Sequence, residues 1–368
     1  MSAFQSSDKG VIQTFNVGLF VSMLLAFLLG IVTLYSASKG SGTTLYKTQL
    51  VWFGLGLGVT AILLFVDSQL LEKIAYPFYG LCMVLLTLVL FIGRVGGGSQ
   101  RWIDLKVFHL QPSEIAKLAI VFTLAKYFSD DTTLPPYSLR QLMIPGFLVA
   151  PFFLLILLQP DLGTAGVLFL VAASMVLFLK VQWRSLLTVV LVALIAVPLA
   201  YQFVLRDYQR DRVKTFLDPG RDAKGSGYNA LQCKIAVGSG KVFGKGFLKG
   251  TQSQLNFIPE QHTDFIFSVF SEERGFFGAL VLLTLYWSYL FYSLRTVARA
   301  RGKFEMLLAF GLTAIIFWHV FINIGMVIGI LPIVGVGLPF FSYGGSSLLT
   351  FMVSTALLLN LSRKKYIF

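Results

Sequence analysis

Ten stretches of roughly 20 mostly apolar residues, the length a membrane-spanning helix requires, follow one another along this 368-residue chain. They lie at 15–35, 48–66, 74–92, 112–128, 139–158, 162–180, 185–205, 264–294, 304–331 and 344–362. Hydrophobic residues make up 56% of the sequence and charged residues 13%, against about 25% charged in soluble domains. So much apolar side chain cannot hide inside a water-soluble fold of this size, so lipid is part of the solvent. The expectation is an all-α integral membrane protein, a bundle of about ten helices. It is a single polytopic domain, 1–368, with one large loop, 206–263, between helices seven and eight. The fourth run opens with polar residues. The eighth is long enough to tilt or to project from the bilayer. No internal repeat of the transporter kind is visible. The polar N-terminal residues lack a cleavable signal, so the first run reads as a permanent helix.

The net charge of +13 invites a nucleic-acid reading, but most basic residues sit between apolar runs, where topology explains them. With the N-terminus inside, thirteen Lys and Arg fall in cytoplasmic segments and five in the short outer loops; the ten in the long loop, 206–263, are discounted because it is near the length at which the rule stops applying. That asymmetry places both termini in the cytoplasm. Three polar segments, 93–111, 206–263 and 332–343, then decorate the outer face, while the cytoplasmic links are short. Chemistry is therefore expected outside. Cys82 lies in an apolar run and Cys233 in a polar loop, so no disulfide between them is expected. The three histidines, His109, His262 and His319, are far apart. No metal-ligand spacing or phosphate loop is present.

Ionisable residues at or inside membrane helices are costly, and each is a functional candidate. Glu114 and Lys117 open the fourth run three residues apart, on one face. They are either a local ion pair that starts the helix or a carboxylate and ammonium lining a polar cavity. Asp161, in QPDLGTAG, is either an N-cap or a functional acid. Asp264, after His262 and Thr263, has the same two readings. Glu272 and Glu273 lie two turns deeper, beside Arg274. The segment GFLKGTQSQLNFIPEQ could lie along the membrane interface. GVGLPFFSYGGSS reads as a re-entrant or tight loop, tolerated at membrane depth only if it is covered by protein or wet.

GGSQRWIDLKVFHLQPSEIAKLA, QPDLGTA, GKGFLKGTQSQLNFIPEQHTDFIFSVFSEERGFFG and LPIVGVGLPFFSYGGSS together resemble the SEDS family (shape, elongation, division and sporulation). GTQSQ, PEQHTDFIF and the last of these stretches are most similar to its elongation branch, of RodA type. The resemblance runs in order from about residue 90 to the C-terminus. It implies a ten-helix peptidoglycan glycosyltransferase that polymerises lipid II, partnered by a class B penicillin-binding protein. The essential aspartate of the family falls on Asp264. Glu114, Lys117 and Asp161 match other polar positions of the family, and His262 and Thr263 belong to the same HTDF motif and are assigned with them to substrate. Gln261 departs from the pattern, since many relatives are basic there.

The implied reaction joins a sugar hydroxyl to an anomeric carbon and expels lipid pyrophosphate, with inversion. It needs a base on the acceptor, for which Asp264 is the candidate. Pyrophosphate leaves more easily than an alkoxide and needs positive charge more than a proton. Arg101, Lys106, Lys117 and the cations of the long loop are candidates for that task. A divalent cation could share it, although no cofactor is evident. Two other classes remain open: a lipid II flippase, and a non-catalytic scaffold of the elongation complex.

Overall fold

In the computed structural model the described residues are 15–96, 99–104, 109–203, 207–218, 225–255, 257–258 and 260–363. All ten apolar runs are helices: α1 (Val17–Ser41), α2 (Leu45–Leu63), α4 (Ala75–Ile92), α5 (Pro112–Asp130), α6 (Met143–Leu158), α7 (Leu162–Phe178), α8 (Trp183–Phe203), α12 (Ile266–Ala298), α13 (Lys303–Ile328) and α14 (Gly345–Ser362). Short helices α3 (Ser68–Lys73), α9 (Asp207–Leu217), α10 (Ser226–Ser239) and α11 (Thr251–Gln254) complete the set. Six of the long ones, α1, α4, α8, α12, α13 and α14, are long and apolar enough to cross a bilayer by length and composition, and the chain is a multi-pass membrane protein. Their outward faces agree with lipid as solvent. Phe91, Leu194 and Trp287 are each more than half exposed, a display that would drive aggregation in water.

The fold is all-α except for a three-stranded antiparallel ribbon that the apolar pattern does not foresee. Its strands are β1 (Arg94–Gly96), β2 (Ser99–Asp104) and β3 (His109–Leu110). The ribbon caps one end of the bundle, where the Ser346 hydroxyl donates to the His109 carbonyl at 2.9 Å and Arg101 lies 3.5 Å from Asp161; residues 262–264 and the link 329–344 meet at the same end. Helices α5, α13 and α14 form the interior; α13 packs on α5, α7 and α12, and α14 packs on α2. By contrast α8 buries Ser185 in its first turn and is largely exposed beyond it.

The eighth run neither tilts nor projects as one straight helix. It breaks at Gly275, whose φ of 66° and ψ of −163° lie in a region open essentially to glycine alone. A break strands backbone groups that nothing in a bilayer can satisfy. Here the segment after α10 satisfies them. The amides of Phe276 and Phe277 donate to the carbonyls of Lys241 and Val242 at 2.8 and 3.0 Å, while the carbonyls of Glu272 and Glu273 accept from the amides of Lys245 and Gly246 at 3.0 Å each. The approach is close enough that a methyl on Gly275 would collide with the backbone of Val242 and Gly244.

Both buried carboxylates above the break anchor the same segment. Glu272 accepts from Lys245 Nζ (2.7 Å), Thr251 Oγ1 (3.2 Å) and the amides of Gln252 (3.0 Å) and Ser253 (3.3 Å). Glu273 accepts from the amide of Leu248 at 3.0 Å and from the Ser36 hydroxyl. The GTQSQ stretch is thus held against a helix break.

Gly275→Ala is expected to lower stability by at least the 1–3 kcal/mol typical of a forced φ/ψ, about that much from strain alone, and to expose the 240–255 segment to protease. Gly54→Ala in α2, where a methyl meets nothing within 4 Å, is the control and should not lower it. Thermal unfolding in detergent checks both. An unchanged midpoint for Gly275→Ala would show that the break does not depend on glycine.

Candidate active site

The Pro/Gly-rich link between α13 and α14 is covered by protein, as membrane depth demands. Val336, Leu338, Phe340 and Phe341 are buried. Its backbone is satisfied by side chains from several helices. Gln49 donates to the Ser342 carbonyl (2.9 Å) and accepts from the Gly344 amide (3.2 Å), the Tyr286 hydroxyl donates to the Pro339 carbonyl (2.6 Å), and Asn323 Nδ2 donates to the Val336 carbonyl (2.7 Å). The Tyr343 amide donates to the carbonyl of His262 at 2.9 Å, which ties the link to the HTDF segment.

Asp264 sits where these two irregular segments meet. It does not cap the helix: α12 begins at Ile266, and its N-cap is Phe265, with no side-chain cap bond. The Asp264 carbonyl accepts from Asn323 Nδ2 at 2.9 Å. Its carboxylate lies over Gly335, where a methyl would come within 3.2 Å of Oδ2; Gly335 also has a φ of +75°. Partial burial pushes the Asp264 carboxyl up to about 6; Glu260 adds to the rise, Arg101 and Arg212 oppose it, and Asp161 raises it slightly.

Asp161 does cap α7, accepting from the Thr164 amide at 3.2 Å. Its other oxygen faces Gln111 Nε2 (3.2 Å), the Thr164 hydroxyl (3.0 Å) and Arg101 Nη1 (3.5 Å). The cap and the polar cluster are one residue doing both. Arg101 is carried to this position by β2. Lys106 lies outside the described residues.

Glu114 and Lys117 are neither an exposed helix-starting pair nor open to solvent. Their side chains are 5% and 0% exposed, with Nζ 2.8 Å from Glu114 Oε1. Lys117 Nζ also lies 2.7 Å from His319 Nε2. His262 and Thr263 turn toward Glu260: His262 Nε2 lies 3.8 Å from its carboxylate, and the Thr263 hydroxyl donates to it at 3.2 Å. Asp264, Arg101 and Asp161 are therefore brought together, Glu114 and Lys117 lie deeper in the bundle, and His262 and Thr263 flank. Of the other neighbours, the sequence reading covers Arg212 only among the cations of the long loop and His319 only among three distant histidines, and it does not single out Glu260 or Asn323. The polar pair His319 and Asn323, four apart inside an apolar helix, was the available signal for two of them.

Known proteins match this arrangement over nearly the whole chain. Residues 16–367 match the family FtsW/RodA/SpoVE, described as cell cycle proteins. A peptidoglycan glycosyltransferase MrdB of Escherichia coli K12 is 40% identical over 92% of this chain and 91% of its own. An MrdB of Helicobacter pylori J99 is 33% identical over 98% and 93%. The crystal structure of the rod shape determining protein RodA of Thermus thermophilus superposes with a TM-score of 0.71 at 31% identity, covering 95% of this chain and 96% of that one. A chain from a peptidoglycan synthase complex, described as coordinating polymerization and crosslinking, reaches 0.82 at 33% identity, covering 95% and 97%. The chain belongs to the FtsW/RodA/SpoVE family, the SEDS family that its motifs resemble.

Proposed function

We propose that the chain is a peptidoglycan glycosyltransferase that polymerises lipid II during cell elongation, with Asp264 as general base. One observation carries the assignment of the residue. The Asp264 carboxylate is partly buried at the junction of the HTDF segment and the 332–343 link, is not used to cap its helix, and is faced by Arg101 and Arg212. The acceptor hydroxyl gives its proton to Asp264 as its oxygen bonds the anomeric carbon. The bond from that carbon to the pyrophosphate oxygen breaks on the opposite face, which inverts the centre. The departing charge is met by Arg101 and Arg212; a bidentate guanidinium suits a diphosphate. Lys117, fully buried, acts on the substrate only through its neighbours. A divalent cation held by the diphosphate would help in the same way. Among the described residues, no group of three His, Cys, Asp or Glu forms a protein-only site for one.

The isoprenoid stays in lipid while the head group enters at the ribbon-bearing end; with the long loop set aside, the thirteen-to-five bias of basic residues in the short segments supports an outer position for that end and cytoplasmic termini. The buried acids Glu114, Asp161, Glu272 and Glu273 gather at that end. A flippase would need matched polar sites at both ends. A class B penicillin-binding protein is the proposed partner, as the likeness to a chain of a synthase complex supports. Between α12 and α13 an apolar cavity of about 500 Å³, lined among others by Trp287, Leu290, Phe317 and Phe321, gives a single-span partner a surface within the membrane.

Asp264→Asn should stay folded and lose about 10²- to 10⁴-fold in lipid II polymerisation, the usual loss for a general base. Because the base works ionised, kcat/KM of the wild type should fall as pH drops through about 6, and the variant should lack that limb. The same shift has a stability sign. The raised carboxyl contributes stability below its ordinary 3.8 that is lost as pH rises through about 6, so Asp264→Asn should be no less stable than wild type at neutral pH. Near-wild-type polymerisation by the purified variant would remove Asp264 from the mechanism.

Two further tests concern setting. Adding a class B penicillin-binding protein should raise the polymerisation rate and yield a stable co-purifying complex; neither effect with any such protein would reject the partner. Cysteine at Ser226 should label from outside the cell and cysteine at Lys303 should not. The reverse pattern would invert the orientation.

A further inference from the structure

Among the buried ionisable groups of the bundle interior, His319 stands apart, because its two ring nitrogens face opposite sides of the site. Nε2 lies 2.7 Å from Lys117 Nζ, and Nδ1 lies 3.2 Å from the Gly337 carbonyl. An ammonium only donates and a carbonyl only accepts. One tautomer satisfies both: neutral imidazole with its proton on Nδ1, accepting from Lys117 and donating to Gly337. Lys117 in turn donates to Glu114 Oε1 at 2.8 Å. A single chain of hydrogen bonds therefore runs from α5 through α13 into the 332–343 link.

The link is the surface on which the Asp264 carboxylate rests. Gly337 is two residues from Gly335, which borders Asp264 Oδ2. Between them, the Val336 carbonyl is held by Asn323 Nδ2, and the same nitrogen also holds the Asp264 carbonyl, at 2.7 and 2.9 Å. His319 and Asn323 are four residues apart, so they share one face of α13. Phe351 packs edge-on to the imidazole, with ring centroids 4.8 Å apart, and fixes the plane of the ring.

We propose that His319 is a positioning residue for Asp264: with Asn323, it pins residues 335–337 against the carboxylate and ties that segment to the buried Glu114–Lys117 pair. The proposal rests on the reading of Asp264 as the base. Displacement of a reacting group by about 1 Å costs on the order of 10²-fold in rate. The loss should fall on kcat, because His319 does not itself touch substrate.

The test uses the purified full chain polymerising lipid II. His319→Met keeps the volume and removes both bonds; it should lower kcat roughly 10²-fold with KM little changed. His319→Gln can accept from Lys117 and donate to Gly337, and should recover most of the rate. Wild-type kcat for His319→Met overturns the proposal. A folded His319→Gln as inactive as His319→Met also overturns it, since the imidazole would then do more than hold position. Should His319→Met not fold, His319→Asn can hold Gly337 but not reach Lys117. It should lose roughly tenfold or more in kcat, and wild-type kcat would count against the proposal equally. Asp264→Asn run alongside separates the two claims. An active Asp264→Asn overturns the base assignment together with the positioning role. An inactive Asp264→Asn beside an unimpaired His319→Met overturns the positioning role alone.

Discussion

Backbone amides and carbonyls at membrane depth must find partners inside the protein, because lipid offers none. The helices meet most of this demand within themselves. Two irregular segments do not: the break at Gly275 and the 332–343 link. The break is closed by the backbone of residues 241–246 and the link by Gln49, Tyr286, His319, Asn323 and Ser342. Both repairs recruit polar groups into an otherwise apolar bundle, and both lie at the ribbon-bearing end. Asp264 stands between them, directly before the short helical segment that ends at the break and against the link that follows α13. The site is a consequence of how irregular backbone is made tolerable here.

The same demand sorts the acids. Glu272 and Glu273 are deep, buried and ionisable, which on sequence grounds makes them as good candidates as Asp264. Glu272 accepts through both oxygens from side chains and amides of the 245–253 segment, and Glu273 accepts through Oε1 from the Leu248 amide and the Ser36 hydroxyl. An acid that terminates several hydrogen bonds is poorly placed to take a proton from substrate. Asp264 bonds through its backbone carbonyl and is left with a carboxyl that burial and Glu260 raise. A raised carboxyl is a stronger base once ionised.

The ten apolar helices were legible because length and apolarity are local properties, and each run contains its own evidence. The irregularity of the 332–343 link was legible too, from its glycines and prolines, but the choice between a covered and a wet loop was not, because Gln49, Tyr286 and Asn323, which hold it, lie far away in the chain. The break at Gly275 was not, since its partners lie about 30 residues earlier in a loop and the run 264–294 looks continuous without them. His319 was noted only as one of three distant histidines; what gives it meaning is Lys117, 202 positions away. Asp161 shows that capping does not exhaust a carboxylate: it caps α7 with one oxygen and faces Gln111 and Arg101 with the other, which leaves the functional reading open beside the cap.

The Glu114–Lys117 pair argues the remaining step. Moving two charges into a low-dielectric interior is expensive, and apolar residues of similar volume often replace such a pair at no loss of stability or with a gain of about 1–4 kcal/mol. Glu114 Oε2 is buried without a hydrogen-bond partner among the described residues, so even the bonding is incomplete. Helix initiation does not account for it either, because α5 has Pro112 in its first turn and the pair is removed from solvent. Stability is thus a poor reason for this pair to be where it is. Direction is a better one. The ammonium at this depth admits only one imidazole tautomer at His319, and that tautomer places its donor on the Gly337 carbonyl. A flexible Gly/Pro segment has few means of holding one conformation, and a buried charge that dictates the orientation of its nearest donor is one of them.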